Sequence, residues 1–181
     1  MDAVSPWVAR FAGWIGEGEV LDLACGGGRH ARHLAALGHP VTALDRDPQA
    51  LRLAAGPGIT TVQADLEAPG AVWPFAQPRF QGIVVTNYLH RPLMAQLIAS
   101  MLPDAVLIYE TFARGNEQFG KPSNPAFLLE PGQLLAIAQE AGLQVLAFEE
   151  GVIDQPKPAM VQRLCAAGRA FARTNACLTA V

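Results

Sequence analysis

The stretch with the clearest chemical content is Val20–His30, which reads Val-Leu-Asp-Leu-Ala-Cys-Gly-Gly-Gly-Arg-His. Val20, Leu21 and Leu23 are apolar strand formers, three glycines follow, and Ala31, Leu34, Ala35 and Leu37 recur at helical spacing. A strand, a glycine loop and a helix in that order make a turn that cradles a nucleotide. Glycines there let the backbone bend sharply and let a ligand approach where a Cβ would collide. Free N–H groups at the helix start favour an anionic group. Asp22 lies just before the bend, where a plain dinucleotide loop carries apolar residues. Its carboxylate can face the ligand and accept hydrogen bonds from a cationic amine. Gly26–Ala31 also fits the G-x-G-x-x-A form of the dinucleotide fingerprint. An NAD(P)-dependent oxidoreductase and a non-catalytic cofactor-binding protein therefore both stay open. A tight turn with no ligand is the plain alternative, but three glycines beside an acid serve packing poorly.

A second acid lies at a telling distance. Val41-Thr42-Ala43-Leu44 reads as a strand that ends on Asp45, 19 positions after Gly26. An acid there can accept hydrogen bonds from both hydroxyls of a ribose. Arg46 is placed to stack on or flank an adenine ring, while Asp47 can cap the helix that begins at Pro48.

Asp22-Leu23-Ala24-Cys25-Gly26-Gly27-Gly28 resembles motif I of the class I S-adenosylmethionine-dependent methyltransferases, with Ala24 where that family most often has glycine. Asp45 matches the family's second motif by position. The resemblance covers about residues 18–150. It implies S-adenosylmethionine as cofactor, held by Asp22, Ala24, Cys25, Gly26, Gly28, Asp45 and Arg46. In the family an acid after the third strand accepts the adenine amino hydrogen, which points to Asp65 with Ala64 and Leu66 against the base. The loop after the fourth strand touches the methionine part of the cofactor and the methyl acceptor. Here that loop supplies Asn87, Tyr88, His90 and Arg91. A further stretch, with Tyr109-Glu110-Thr111-Phe112, Asn124-Pro125, Leu128-Leu129 and Pro131-Gly132, resembles a bacterial branch close to the tellurite-resistance methyltransferases. That resemblance does not license tellurite as substrate.

A doubly wound sheet is needed to bring these positions together. Runs at Val20–Leu23, 40–45, 59–64, Phe80–Thr86, 105–112, 143–148 and 159–167 read as strands. The expected fold is α/β, a Rossmann-like seven-stranded mostly parallel sheet with helices on both faces. The resemblance implies strand order 3-2-1-4-5-7-6 with strand 7 antiparallel. Ser5-Pro6 opens an N-terminal helix with Ser5 as cap and a stripe of Trp7, Val8, Phe11, Trp14 and Ile15. This stripe either covers the cofactor side or packs the core. Further helices are expected at 93–102, stopped by Pro103, and at 133–141. Residues 67–79 read as an irregular connection with Trp73 and Phe75 as packing residues, and 170–181 as a short helix or frayed end. Residues 113–132 form an unusually long connection that leaves the carboxyl edge of the sheet. It reads as a substrate lid, with Arg114, Asn116, Lys121 and Asn124 as donors and Phe112, Phe119 and Phe127 as walls. An ordered surface loop pinned by prolines is the alternative.

The 181 residues are 51% hydrophobic and 16% charged, with net charge −3 and pI near 5.8, which suits one domain over residues 1–181. No Lys/Arg block suggests a nucleic-acid footprint, and no apolar run suggests a membrane span. No signal peptide is read at the start. Cys25, Cys165 and Cys177 look like reduced thiols, so a cytoplasmic protein is expected, monomer or homodimer, with no metal. His30 and His33 lie three apart on a helix, but no third ligand follows, so surface or cofactor-edge histidines are expected. The function expected is methyl transfer to a small molecule, mainly by alignment. If a base is used, His90 is the first candidate and Tyr88 the second. The expected acceptor-side residues are Tyr88, His90, Arg91, Arg114, Phe119 and Lys121, and Arg114 or Lys121 could hold an anionic acceptor.

Overall fold

Alternation along the strands decides how the layers form. In the computed structural model, which describes residues 3–75 and 78–178, seven strands pair into one sheet. Those parts of the expected start, connection and C-terminal end that fall on residues 1–2, 76–77 and 179–181 lie outside the described residues. Strands β1 (Val20–Leu23), β2 (Val41–Asp45), β3 (Ile59–Gln63), β4 (Phe80–Thr86) and β5 (Met101–Phe112) run parallel. Strands β6 (Gln144–Ile153) and β7 (Ala159–Ala167) form an antiparallel hairpin whose β7 pairs antiparallel with β5. The order is β3-β2-β1-β4-β5-β7-β6, with β7 alone running against the rest, as expected.

Every residue of β1 and β4 is buried, because helices cover both faces. Ile83 and Val85 go to one core with Leu97 of α4 (Met94–Ala99) and Leu134 of α5 (Gln133–Glu140). Val84 goes to the other, with Trp7 of α1 (Pro6–Phe11), Leu34 of α2 (Arg29–Ala36) and Leu51 of α3 (Pro48–Ala54). This is the two-residue period of a strand covered on both sides. Trp73 and Phe75 pack edge to face, 5.3 Å between ring centres, as the expected packing residues.

Two boundaries differ from the sequence reading. The expected helix at 93–102 splits into a 3-10 turn over Arg91–Leu93 and the short α4, and β5 already begins at Met101, opposite Phe80. Pro103 therefore lies in a strand. Its missing N–H is not called on there, while its carbonyl accepts from the Ala170 N–H at 2.9 Å. The strand expected at 143–148 continues to Ile153 because β7 pairs with it over its whole length.

Helix α1 packs the core. Ser5 Oγ accepts the Trp7 N–H at 3.1 Å and caps the helix, Trp7 is buried, and its Nε1 donates to the Leu164 carbonyl at 3.2 Å. Replacing Trp7 by Ala removes a fully packed aromatic ring and its indole hydrogen bond. It should cost ~3–5 kcal/mol of stability, read by urea unfolding.

Candidate functional site

The glycine loop is shaped by positive backbone angles. Ala24 has φ +54°, Gly26 +51° and Gly28 +77°. The left-handed region suits glycine, and a non-glycine residue there costs ~1–2 kcal/mol, so Ala24 is strained. A Cβ on Gly28 would lie 2.6 Å from the Ala54 Cα, so helix α3 is seated directly against bare backbone.

Two acids hold this bend from different strands. Asp45, at the end of β2, accepts the Gly26 N–H on Oδ2 at 2.8 Å and the Asp47 N–H on Oδ1 at 2.9 Å. Asp47 in turn caps α3 by accepting the Gln49 N–H at 2.8 Å. Asp22 is 1% exposed and accepts the Ala31 N–H in the first turn of α2 at 2.9 Å. That is a correction to its expected place facing the ligand: the side chain lies beneath the loop and is spent on the helix. Burial, with the charge of Asp45 adding to it, pushes the Asp22 carboxyl up to about 7. The Ala31 hydrogen bond and Arg29 only partly oppose that rise.

His30 is also buried. Its Nε2 accepts the Ser5 N–H at 3.2 Å, which leaves the ring proton on Nδ1, 3.3 Å from Thr86 Oγ1. Burial and the positive charges of Arg29 and His33 bring its pKa down to about 3, so the ring stays neutral. Ser5 Oγ donates to Glu110 Oε1 at 3.0 Å, and Arg163 Nε donates to Glu110 Oε2 at 2.6 Å. This chain of contacts ties the start of α1 to the glycine-loop helix and to β4, β5 and β7.

Cavities run along the carboxyl edge of the sheet and share residues. One of about 700 Å³ lies over the glycines and is lined by Ala24, Cys25, Gly26, Arg29, His30 and Asn87, among others. A smaller one of about 160 Å³ is bounded by Asp45, Arg46, Ala64, Asp65, Leu66 and Tyr88, and meets the first at Ala24. A third, of about 230 Å³, includes Asn87, Tyr88, Thr111, Phe112 and Phe127. Asn87 itself has φ +56°, and its N–H donates to the Glu110 carbonyl at 2.9 Å. Tyr109 Oη donates to the Tyr88 carbonyl at 2.8 Å, which fixes the loop after β4. At the far rim, Asp65 Oδ1 accepts the Glu67 N–H at 3.0 Å.

Several acceptor-side expectations are corrected. His90 lines none of these cavities; it opens the 3-10 turn, and its carbonyl accepts the Leu93 N–H. Tyr88 lines the second and third of them, but burial and the nearby Glu67 charge push its phenol well above the usual range. It stays protonated and is a donor, not a base. The Arg91 guanidinium is committed to the Ala126 and Leu128 carbonyls, at 2.8 and 2.7 Å, and to Gln133 Oε1 at 3.0 Å. It pins residues 126–133 in place and does not face a substrate. Arg114 is paired with Glu130 at 2.9 Å, and Phe119 is exposed outside these cavities. The expected lid is an ordered segment with two 3-10 turns, Asn116–Gln118 and Pro125–Phe127. Thr86, Arg29 and Glu67 line the cavities without having been singled out in the sequence. Among the described residues, no group of three His, Cys, Asp or Glu could hold a metal ion, and no helix is long and apolar enough to cross a membrane.

Residues 20–103, just under half of the chain, match the methyltransferase domain family. The reversed β7 is the strand arrangement that the motif resemblance implied. No curated protein matches the sequence. Among solved structures, TehB from Haemophilus influenzae superimposes with TM-score 0.77 at 18% identity, over 93% of this chain and 64% of that one. The chain thus spans about two thirds of the length of that TehB. An S-adenosylmethionine-dependent methyltransferase from Mesorhizobium loti superimposes with TM-score 0.68 at 19% identity, covering 91% of this chain and 98% of its own. A TehB-like methyltransferase from Corynebacterium glutamicum gives 0.65 at 20%, covering 90% and 87%.

Two predictions test this geometry. Ala24→Gly should stabilise by ~0.5–1 kcal/mol, relief of strain outweighing glycine entropy, whereas Gly28→Ala should cost ~2–4 kcal/mol; urea midpoints read both. The two buried titratable groups act in opposite directions. Between pH 3.8 and about 7 folded Asp22 keeps a proton that the unfolded chain has lost, so its contribution falls as pH rises. Between about 3 and 6.5 His30 stays neutral while the unfolded chain takes a proton, so its contribution is lost as pH falls. Asp22→Asn should therefore steepen the rise of stability with pH across this window, by up to ~1.4 kcal/mol per pH unit, and His30→Gln should flatten it.

Proposed function

We propose that this chain, as a single domain over residues 1–181, transfers a methyl group from S-adenosylmethionine to a small-molecule acceptor at the carboxyl edge of its sheet. The observation that carries the proposal is the continuity of the cavities from Asp45 and Asp65, past the bare glycine loop, to Asn87, Tyr88 and Phe112. The residues present fit the cofactor's parts. Each Asp45 oxygen accepts one backbone N–H and keeps further acceptor capacity for the two ribose hydroxyls. Ala64 and Leu66 offer apolar walls for a base, with Arg46 beside it and Asp65 at the edge as acceptor for an amino group. Over the loop, Arg29 offers a positive charge to the carboxylate of the methionine tail, and Ala24, Cys25 and Gly26 leave the backbone open. Asp22 and Gly28 act from below by shaping the loop.

The bound cofactor supplies a methyl group made electrophilic by its sulfonium. The chain's part is to hold the acceptor in line with that methyl and to keep water out, which is worth up to ~7–11 kcal/mol without a general base. Asn87 and Tyr88 border the cavity on the acceptor side, and Asn87 is placed to orient the acceptor by donating a hydrogen bond. The buried Cys25 thiol is pushed far above its ordinary pKa, so it stays protonated and does not compete as a nucleophile.

Calorimetric titration with S-adenosylhomocysteine tests the cofactor half. Asp45→Ala should weaken binding ~10–150-fold, the worth of hydrogen bonds to a charged group. Tight NAD binding with no affinity for S-adenosylhomocysteine would overturn the proposal. Cofactor binding with no methylated product across a broad acceptor panel would reduce the chain to a binding protein.

A further inference from the structure

Lysine is scarce here. The chain has two, Lys121 and Lys157, 36 positions apart. Lys121 lies in the segment between β5 and α5, and Lys157 in the turn between β6 and β7. The reversed direction of β7 brings them to one place. Because Val161 pairs with Phe112, the beginning of β7 lies at the end of β5, and the 154–158 turn joins the carboxyl edge. Both lysines line a single open cavity of about 570 Å³, together with Asn87, Phe112 and Phe127. This size is within the ordinary range of small-ligand sites.

Three features of that cavity point to an occupant. First, none of its lining residues is acidic, and among the described residues neither lysine makes an ion pair or hydrogen bond. The neighbouring arginines differ, since Arg91 is held by two carbonyls and Gln133 and Arg114 is paired with Glu130. Two like charges facing one hollow repel each other, and an anion between them relieves that repulsion. Second, Phe112 and Phe127 give the hollow apolar aromatic walls, suited to a flat apolar body. Third, Asn87 borders both this cavity and the one over the glycine loop. A molecule with its anionic end at the lysines can therefore extend its other end toward the cofactor side.

We propose that Lys121 and Lys157 form the anion-binding end of the acceptor site, and that the acceptor is a small organic anion, a carboxylate or a phosphate, carried on a flat apolar body. The proposal rests on the methyl-transfer reading for what happens at the other end of that molecule. The anion subsite itself is tested independently of that reading.

Benzoate, phenyl phosphate and neutral benzamide are titrated by ligand-observed NMR, with and without S-adenosylhomocysteine, into the full chain and into a Lys121→Met/Lys157→Met variant. At least one anion should bind tenfold or more tightly than benzamide, and the double variant should lose that preference while keeping its affinity for S-adenosylhomocysteine. The better of the two anions identifies the head group. Equal binding of anion and amide, no saturable anion binding, or a preference that survives the double substitution overturns the subsite. Failure of S-adenosylhomocysteine to bind, with the anion preference intact, instead overturns the methyl-transfer reading and leaves the subsite standing.

Discussion

Two carboxylates, on adjacent parallel strands, grip the backbone of one glycine bend. Asp45 takes the Gly26 N–H from the side, and Asp22 takes the Ala31 N–H from below. The bend has no side chains with which to hold itself, because bulk there would close the cavity or strike α3. Its shape must therefore be imposed from outside. Asp45 uses its second oxygen to set the start of α3 through Asp47. The position of two helices and the opening of the cavity over the loop thus follow from two acids and three N–H groups.

A second polar network secures the other side of the same loop. Ser5, His30, Thr86, Glu110 and Arg163 link the first residues of α1 to the centre of the sheet. Four of the five are less than 10% exposed, so each partner lost would leave a buried polar group unsatisfied, at ~1–3 kcal/mol. Such networks specify one arrangement when complete. Here the network fixes how α1 meets α2. The tryptophans of the N-terminal stripe consequently pack core and leave the cofactor side to the loop.

Local signals were legible in the sequence. The glycine bend, the acids that end strands, the Ser5 and Asp47 caps and the seven strand runs all depend on residues near one another in the chain. The strand order came from the resemblance that those motifs carry. What could not be read depends on distant partners. Arg91 looks like a free cation until residues 126 and 128 present their carbonyls to it. Arg114 needs Glu130, and Asp22 turns from ligand contact to buttress once α2 folds over it. Pro103 reads as a helix stop, and only pairing of Met101 with Phe80 puts it in a strand. Lys157 gave no signal at all, lying in a turn that only the reversed strand carries to the carboxyl edge.

The scarcity of lysine has a practical side. Reagents that acylate amines find only Lys121 and Lys157 on the side chains of this protein, and both face one hollow. Coupling the protein to a sensor chip through its amines would anchor a large share of molecules by that hollow and mask it. A dye or photocrosslinker delivered by the same chemistry would reach that hollow through its two lysines, without any engineered cysteine.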